Sequence, residues 1–193
     1  VGQSRAFYDG MRALQAADQG APCLTPVQRR ILAKALQSAE QAGVGLPPDK
    51  QARFNAIQMR LAQTGTSFRN NVLDATKAFS LTLRTREESD GLPPALLAVT
   101  AQAAAAPQAG ALSAESGPWK ITLDAAVYTP FMMHSRNRQA REALYRANAT
   151  RASSGETDNT PLIEESVALR RELANLLGYA TYADLSLSSK TAK

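Results

Sequence analysis

With 193 residues, 44% of them hydrophobic, the chain can build one good-sized core or two small ones, which excludes disorder throughout. Its single cysteine, Cys23, excludes an internal disulfide framework and a cysteine-rich zinc site. The net charge of +5 is arginine spread along helices rather than massed in one tract, so nucleic acid is not the expected partner.

Alanine, glutamine, arginine and leucine are abundant and aromatic residues make up only 6%, so the fold class expected is all-α. No run approaches the roughly 20 apolar residues that span a bilayer. The stretch VGQSRAFYDGMRALQ lacks the apolar centre of a signal peptide, so no membrane and no secretion are expected.

In chain order, Thr25-Pro26-Val27-Gln28 has the form of a capped helix start with proline at the first helical position. Val27, Ile31, Leu32, Leu36 and Ala39 follow as an apolar stripe, and Gly43 offers a stop. Over residues 51–83 the apolar positions Phe54, Ile57, Leu61, Phe68, Val72, Ala75, Phe79 and Leu83 recur at three- and four-residue steps. They predict one helix roughly 50 Å long at 1.5 Å per residue, with a bend at Gly65.

REESDGLPP breaks that pattern. PPALLAVTAQAAAAP predicts a short helix bounded by Pro107, and QAGALSAESGP a loop. WKITL, residues 119–123, is the best strand candidate, and it needs a partner strand here or elsewhere. Residues 138–151 predict a helix with Ala140, Leu144, Ala147 and Asn148 on one side and arginines on the other. SSGETDNT is a polar loop. Thr160-Pro161 repeats the cap-and-proline start of a helix closing at Gly178, and Thr181 with Asp184 starts another that the last residues leave short.

The chemistry searched for in this pattern is missing. A zinc hydrolase helix needs two histidines four apart with a glutamate between them, and His134 is the only histidine. A Cys23–His134 nucleophile pair is formally possible, yet neither context activates the thiol. His134 is expected near a helix start, hydrogen-bonded or solvated. Glu87-Glu88, Glu164-Glu165 and Asp124 read as helix-end charges rather than catalytic dyads, because sequence neighbours on a helix point apart. Arg136, Arg138, Arg141, Arg146 and Arg151 read as a solvated face, with Glu142 placed to pair with Arg138 or Arg146; a groove holding anionic peptide ends is the alternative. No catalytic or metal-binding residue is therefore assigned, and substrate-binding residues stay open.

Taken as a string, the segment LTPVQRRILAKALQSAEQAGVGLPPDKQARFNAIQMRLAQTGTSFRNNVLDAT, with Asn70 to Thr76 at its end, resembles the thimet-oligopeptidase family of zinc metallopeptidases. ITLDAAVYTPFM, REALYRANATRAS, VALRRELANLLGY and YADLSLSSKTA continue the resemblance in order over almost the whole chain. The resemblance implies a multi-helix segment of the N-terminal lobe of an oligopeptidase-like fold, with a minor β element near 119–123 whose partner strand lies in the parent fold. It implies that residues 1–193 form a partial helical domain, a wall of the peptide channel without the catalytic domain. It implies a zinc-bound water that cleaves short peptides in the full-length parent, with no cofactor held by this chain, since no His-Glu-x-x-His occurs here. The expected partners are short peptides and the remaining part of the peptidase, and the expected compartment is the cytoplasm or an organelle such as a chloroplast or mitochondrion. A stand-alone helical interaction module derived from such a peptidase is the alternative.

Overall fold

The computed structural model describes residues 4–105 and 114–191, and eight α-helices and two strands lie among them. They divide into two compact units, one of residues 1–64 and 164–193 and the other of residues 65–163. The fold is mostly α with a minor β element, as the composition and pattern predict.

The first unit begins with α1 (Arg5–Gly20), a helix absent from the sequence-based expectations. Ser4 caps it by accepting the Phe7 N–H at 3.4 Å. α2 (Pro26–Gln41) starts as predicted: the Thr25 hydroxyl accepts the Gln28 N–H at 3.3 Å and the Gln28 side chain accepts the Thr25 N–H at 2.8 Å. Leu32, Leu36 and Ala39 of its stripe are buried with Tyr8 and Met11 of α1, whereas Val27 and Ile31 stay exposed. Gly43 ends the helix at φ +78°, and a Cβ there would come within 2.8 Å of the Phe54 ring. Only glycine combines that backbone with that contact.

α3 (Pro48–Ala78) is continuous through Gly65 and is shorter at its far end than predicted. Phe79 to Leu83 does not extend the helix; Ser80–Leu83 is strand β1. The apolar spacing of Phe79 and Leu83 suits a helix, but Leu81 and Leu83 also alternate with Ser80 and Thr82, and strand pairing wins. In the first unit, Phe54 and Ile57 of α3 pack with Leu173 of α7 (Thr160–Leu176), and Leu185 of α8 (Tyr182–Ser188) joins them. Thr181 and Asp184 cap α8 reciprocally, as their spacing predicts.

In the second unit, β1 pairs antiparallel with β2 (Trp119–Thr122) in the register Ser80↔Thr122 to Leu83↔Trp119. The partner of WKITL therefore lies within this chain, not in sequence outside it. α4 (Pro94–Ala104), α5 (Ala125–His134) and α6 (Arg138–Ala149) enclose the sheet's apolar face. Trp119, Ile121, Phe131 and Leu144 are at most 1% exposed and form the centre of this core. The Trp119 indole N–H donates to the Ala114 carbonyl at 3.1 Å, so the ring is buried without losing a hydrogen bond. The expected helix end at Pro107, and most of the loop after it, lie outside the described residues.

Candidate functional site

His134 is the last residue of α5, four residues before α6 begins at Arg138, and it is exposed. Pro130 inside α5 hid this helix from a reading that treats proline as a breaker. Gly91, at φ +85°, lies against the His134 carbonyl, so the close approach is made by backbone and not by the imidazole. Cys23 is exposed in the connection between α1 and α2, in the other unit. Among the described residues no group of three or more His, Cys, Asp or Glu side chains is placed to hold a metal ion.

Of the five acidic residues singled out, Glu88, Asp124 and Glu165 have structural partners, and Glu87 and Glu164 are exposed. Glu88 accepts the backbone N–H groups of Arg84 and Thr85 at 2.5 and 3.2 Å, and these bonds hold its carboxyl below the usual range. Asp124 precedes α5 and accepts the Thr122 hydroxyl at 2.9 Å. Glu165 takes a two-pronged bond from Arg60, at 2.6 and 2.8 Å, and that bond lowers its pKa. Glu164 is exposed, so the neighbours do point apart. At the start of α7 the capping acceptor is Asp158 rather than Thr160: its Oδ1 accepts the Thr160 N–H at 2.9 Å and the hydroxyl at 2.8 Å. These bonds, the Thr160 N–H first and its hydroxyl second, hold the Asp158 carboxyl below its usual range.

Four of the five arginines hold their own surroundings. Arg136 meets Asp90 at 3.5 Å, Arg141 donates to the Ser135 carbonyl, Arg146 pairs with Glu142 at 2.8 Å, and Arg151 donates to Asn148 at 3.0 Å. Arg138 is exposed at the head of α6. This is the solvated, locally paired face that the i,i+4 spacing indicates.

Two constellations lie outside what the sequence pattern predicts. Arg53 and Arg60 on α3 clasp Glu172 and Glu165 on α7, each through two hydrogen bonds of 2.6–2.8 Å. The seven-residue spacing on both helices is the signal that could have revealed them. In the second unit, Asn159, only 3% exposed, accepts from the Asn71 side chain at 2.9 Å and donates to the Phe68 carbonyl at 3.2 Å. Asn71 belongs to the Asn-Asn-Val-Leu-Asp-Ala-Thr stretch, so that motif's visible work is to tie α3 to the segment before α7. A cavity of about 350 Å³ lined by Arg86, Glu87, Ser89, Asp90, Gly91 and Leu92 mixes both charge signs in one loop and aligns no nucleophile with a base.

Residues 131–193 match peptidase family M3. The whole chain aligns with oligopeptidases: it is 40% identical over 192 residues to the probable cytosolic oligopeptidase A of Arabidopsis thaliana and covers 27% of that protein. The organellar oligopeptidase A, chloroplastic/mitochondrial, of the same plant is also 40% identical over 192 residues, with 24% of its length covered. The oligopeptidase A of Escherichia coli is 40% identical over 198 residues, with 28% covered. The match to family M3 over residues 131–193 and the oligopeptidase A relatives at 40% identity support a segment of the thimet-oligopeptidase kind. The chain is similar along its whole length to oligopeptidase A, and it spans about a quarter of the length of these relatives.

Proposed function

We propose that this chain is a non-catalytic part of a zinc-dependent oligopeptidase of the oligopeptidase A kind, forming a wall of the channel that admits short, unfolded peptides. The observation that carries the reading is the 40% identity along the entire chain to proteins of which it spans only about a quarter. The described residues do not fit a zinc site. The one histidine is exposed at a helix end, the one cysteine lies in the other unit, and the carboxylates Glu88, Asp158, Glu165 and Glu172 are engaged in hydrogen bonds within the fold. The metal ligands and the general base then belong to sequence outside this chain, and the cytosolic or organellar setting of the named plant relatives is the proposed setting here.

The mass of the endogenous protein, with its peptides mapped beyond Lys193, tests this reading. A species much heavier than 20.6 kDa that contains a His-Glu-x-x-His peptide is the expected result. A species near 20.6 kDa would favour a stand-alone interaction module instead. Zinc-dependent, chelator-sensitive peptide hydrolysis by the pure 193-residue chain would overturn the non-catalytic role.

A further inference from the structure

The helical hairpin of α1 and α2 is finished on one side and open on the other. On the finished side Gln37 donates to the Ser188 carbonyl at 2.9 Å and Gln41 to the Ser188 hydroxyl at 2.7 Å, so the end of α8 is tied to α2 there. On the open side, Phe7, Gly10 and Leu14 form a stripe along α1 at three- and four-residue steps, and Val27, Ile31 and Ala35 form one along α2. Phe7, Leu14, Val27 and Ile31 are 56, 42, 68 and 63% exposed.

Between the two stripes a cavity of about 130 Å³ sits beside Phe7, with a floor of small residues at Ala35, Ser38 and Ala42. An apolar cavity of roughly 150 Å³ accepts a benzene-sized group, so one aromatic or leucine side chain fits this one. Grooves between packed helices are filled by side chains that recur at three- and four-residue steps, which is what another helix presents.

The charge balance says which helix. From Arg5 to Gln41 the hairpin carries Arg5, Arg12, Arg29, Arg30 and Lys34 against Asp9, Asp18 and Glu40, a net +2. A second copy would bring the same excess to the interface, whereas a helix with acidic flanks would complement it. The supply of such a helix is ample, because the chain accounts for only 27% of the length of the cytosolic plant relative.

We propose that the open face of the α1–α2 hairpin is the docking surface for an amphipathic, acid-flanked helix from the remaining part of an oligopeptidase A-like polypeptide, one large apolar side chain of which fills the cavity. The proposal rests on the functional reading above and names where the missing part attaches.

The test uses the full 193-residue chain and overlapping 20-residue peptides that tile the Arabidopsis cytosolic relative outside its aligned region, with binding followed by fluorescence anisotropy. At least one helix-forming peptide with acidic flanks should bind. V27E/I31E should weaken it at least ten-fold, and so should S38F, which fills the cavity from within. M133E, at an equally exposed apolar position of α5, should leave the affinity unchanged. Because Val27 and Ile31 are exposed, the variants should keep the helical circular dichroism of the parent chain. Absence of any binding peptide, or equal binding by V27E/I31E, would overturn the proposal. A dimer of the chain itself that V27E/I31E dissociates would overturn it too, by making a second copy the occupant. A heavy endogenous species together with a failed peptide panel would leave the peptidase reading standing and remove only this surface.

Discussion

Asp18 ties the end of α1 to the start of α2. Its Oδ1 accepts the Cys23 and Leu24 N–H groups at 2.8 and 2.7 Å, and Arg29 reaches its Oδ2 at 2.6 Å. The bond from Arg29 is the largest cause of a carboxyl pKa far below the ordinary range, with the Leu24 N–H next; desolvation opposes them. Since the folded pKa is depressed, the stabilisation is fully present above the unfolded value of about 3.9 and is lost as pH falls through the folded one. D18N should therefore be less stable than the parent at pH 7, and the gap in urea midpoint should narrow below about pH 4. A gap independent of pH would assign Asp18 a packing role only. Glycine gives the opposite sign. Gly10 and Gly65 lie inside helices without positive φ, and a Cβ would meet nothing within 4 Å at Gly10 and only the Arg69 guanidinium at 3.6 Å at Gly65. G10A and G65A should each stabilise by about 1 kcal/mol. In thermal unfolding this is a rise of about 2–4 °C in Tm for a chain of this size. A fall for G65A would show that the helix needs glycine's freedom there.

At the scale of elements, the α3–α7 pair of the first unit shows how register is set. Arg53↔Glu172 and Arg60↔Glu165 run in opposite chain directions, seven residues apart on each helix, and flank the apolar cluster that Phe54 and Ile57 form with Leu169 and Leu173. The bonds hold both carboxylates below their usual pKa, although all four side chains remain 34–51% exposed. Burial of Ile57 and Phe54 therefore supplies the stability, and the ion pairs select the alignment. A double-mutant cycle on R60Q and E165Q should give a small favourable coupling that shrinks as salt is raised. A large, salt-independent coupling would contradict this division of labour. The sequence disclosed the elements whose ends carry their own chemistry: Thr25 with Gln28, Gly43, and Thr181 with Asp184. It hid those decided by contacts distant along the chain. β1 reads as helix because only its pairing with Trp119–Thr122 distinguishes Leu81 and Leu83 from a continued helical stripe. α5 is masked by Pro130, whose missing N–H the helix tolerates while Val127 and Phe131 are buried.

For the molecule as a whole, the candidate site was legible mainly as a mismatch between a family's chemistry and this chain's donors. One histidine excludes the paired-histidine motif from the sequence alone; where each carboxylate points is a matter of three-dimensional contacts such as Arg60–Glu165 and Arg53–Glu172, which residue types do not disclose. That mismatch has a thermodynamic consequence. A metal that binds the folded state and not the unfolded one raises stability by RT ln(1 + [L]/Kd), about 2.7 kcal/mol at a hundred-fold excess over Kd. With no set of three ligands assembled among the described residues, folding of this chain should carry no such contribution. Melting curves recorded with excess zinc, with EDTA and with neither should coincide. A Tm several degrees higher in zinc, reversed by EDTA, would mean that His134 or Cys23 gathers ligands in solution. H134A and C23A would then identify which: loss of the zinc shift in either variant locates the site, and a shift that survives both places it among the carboxylates.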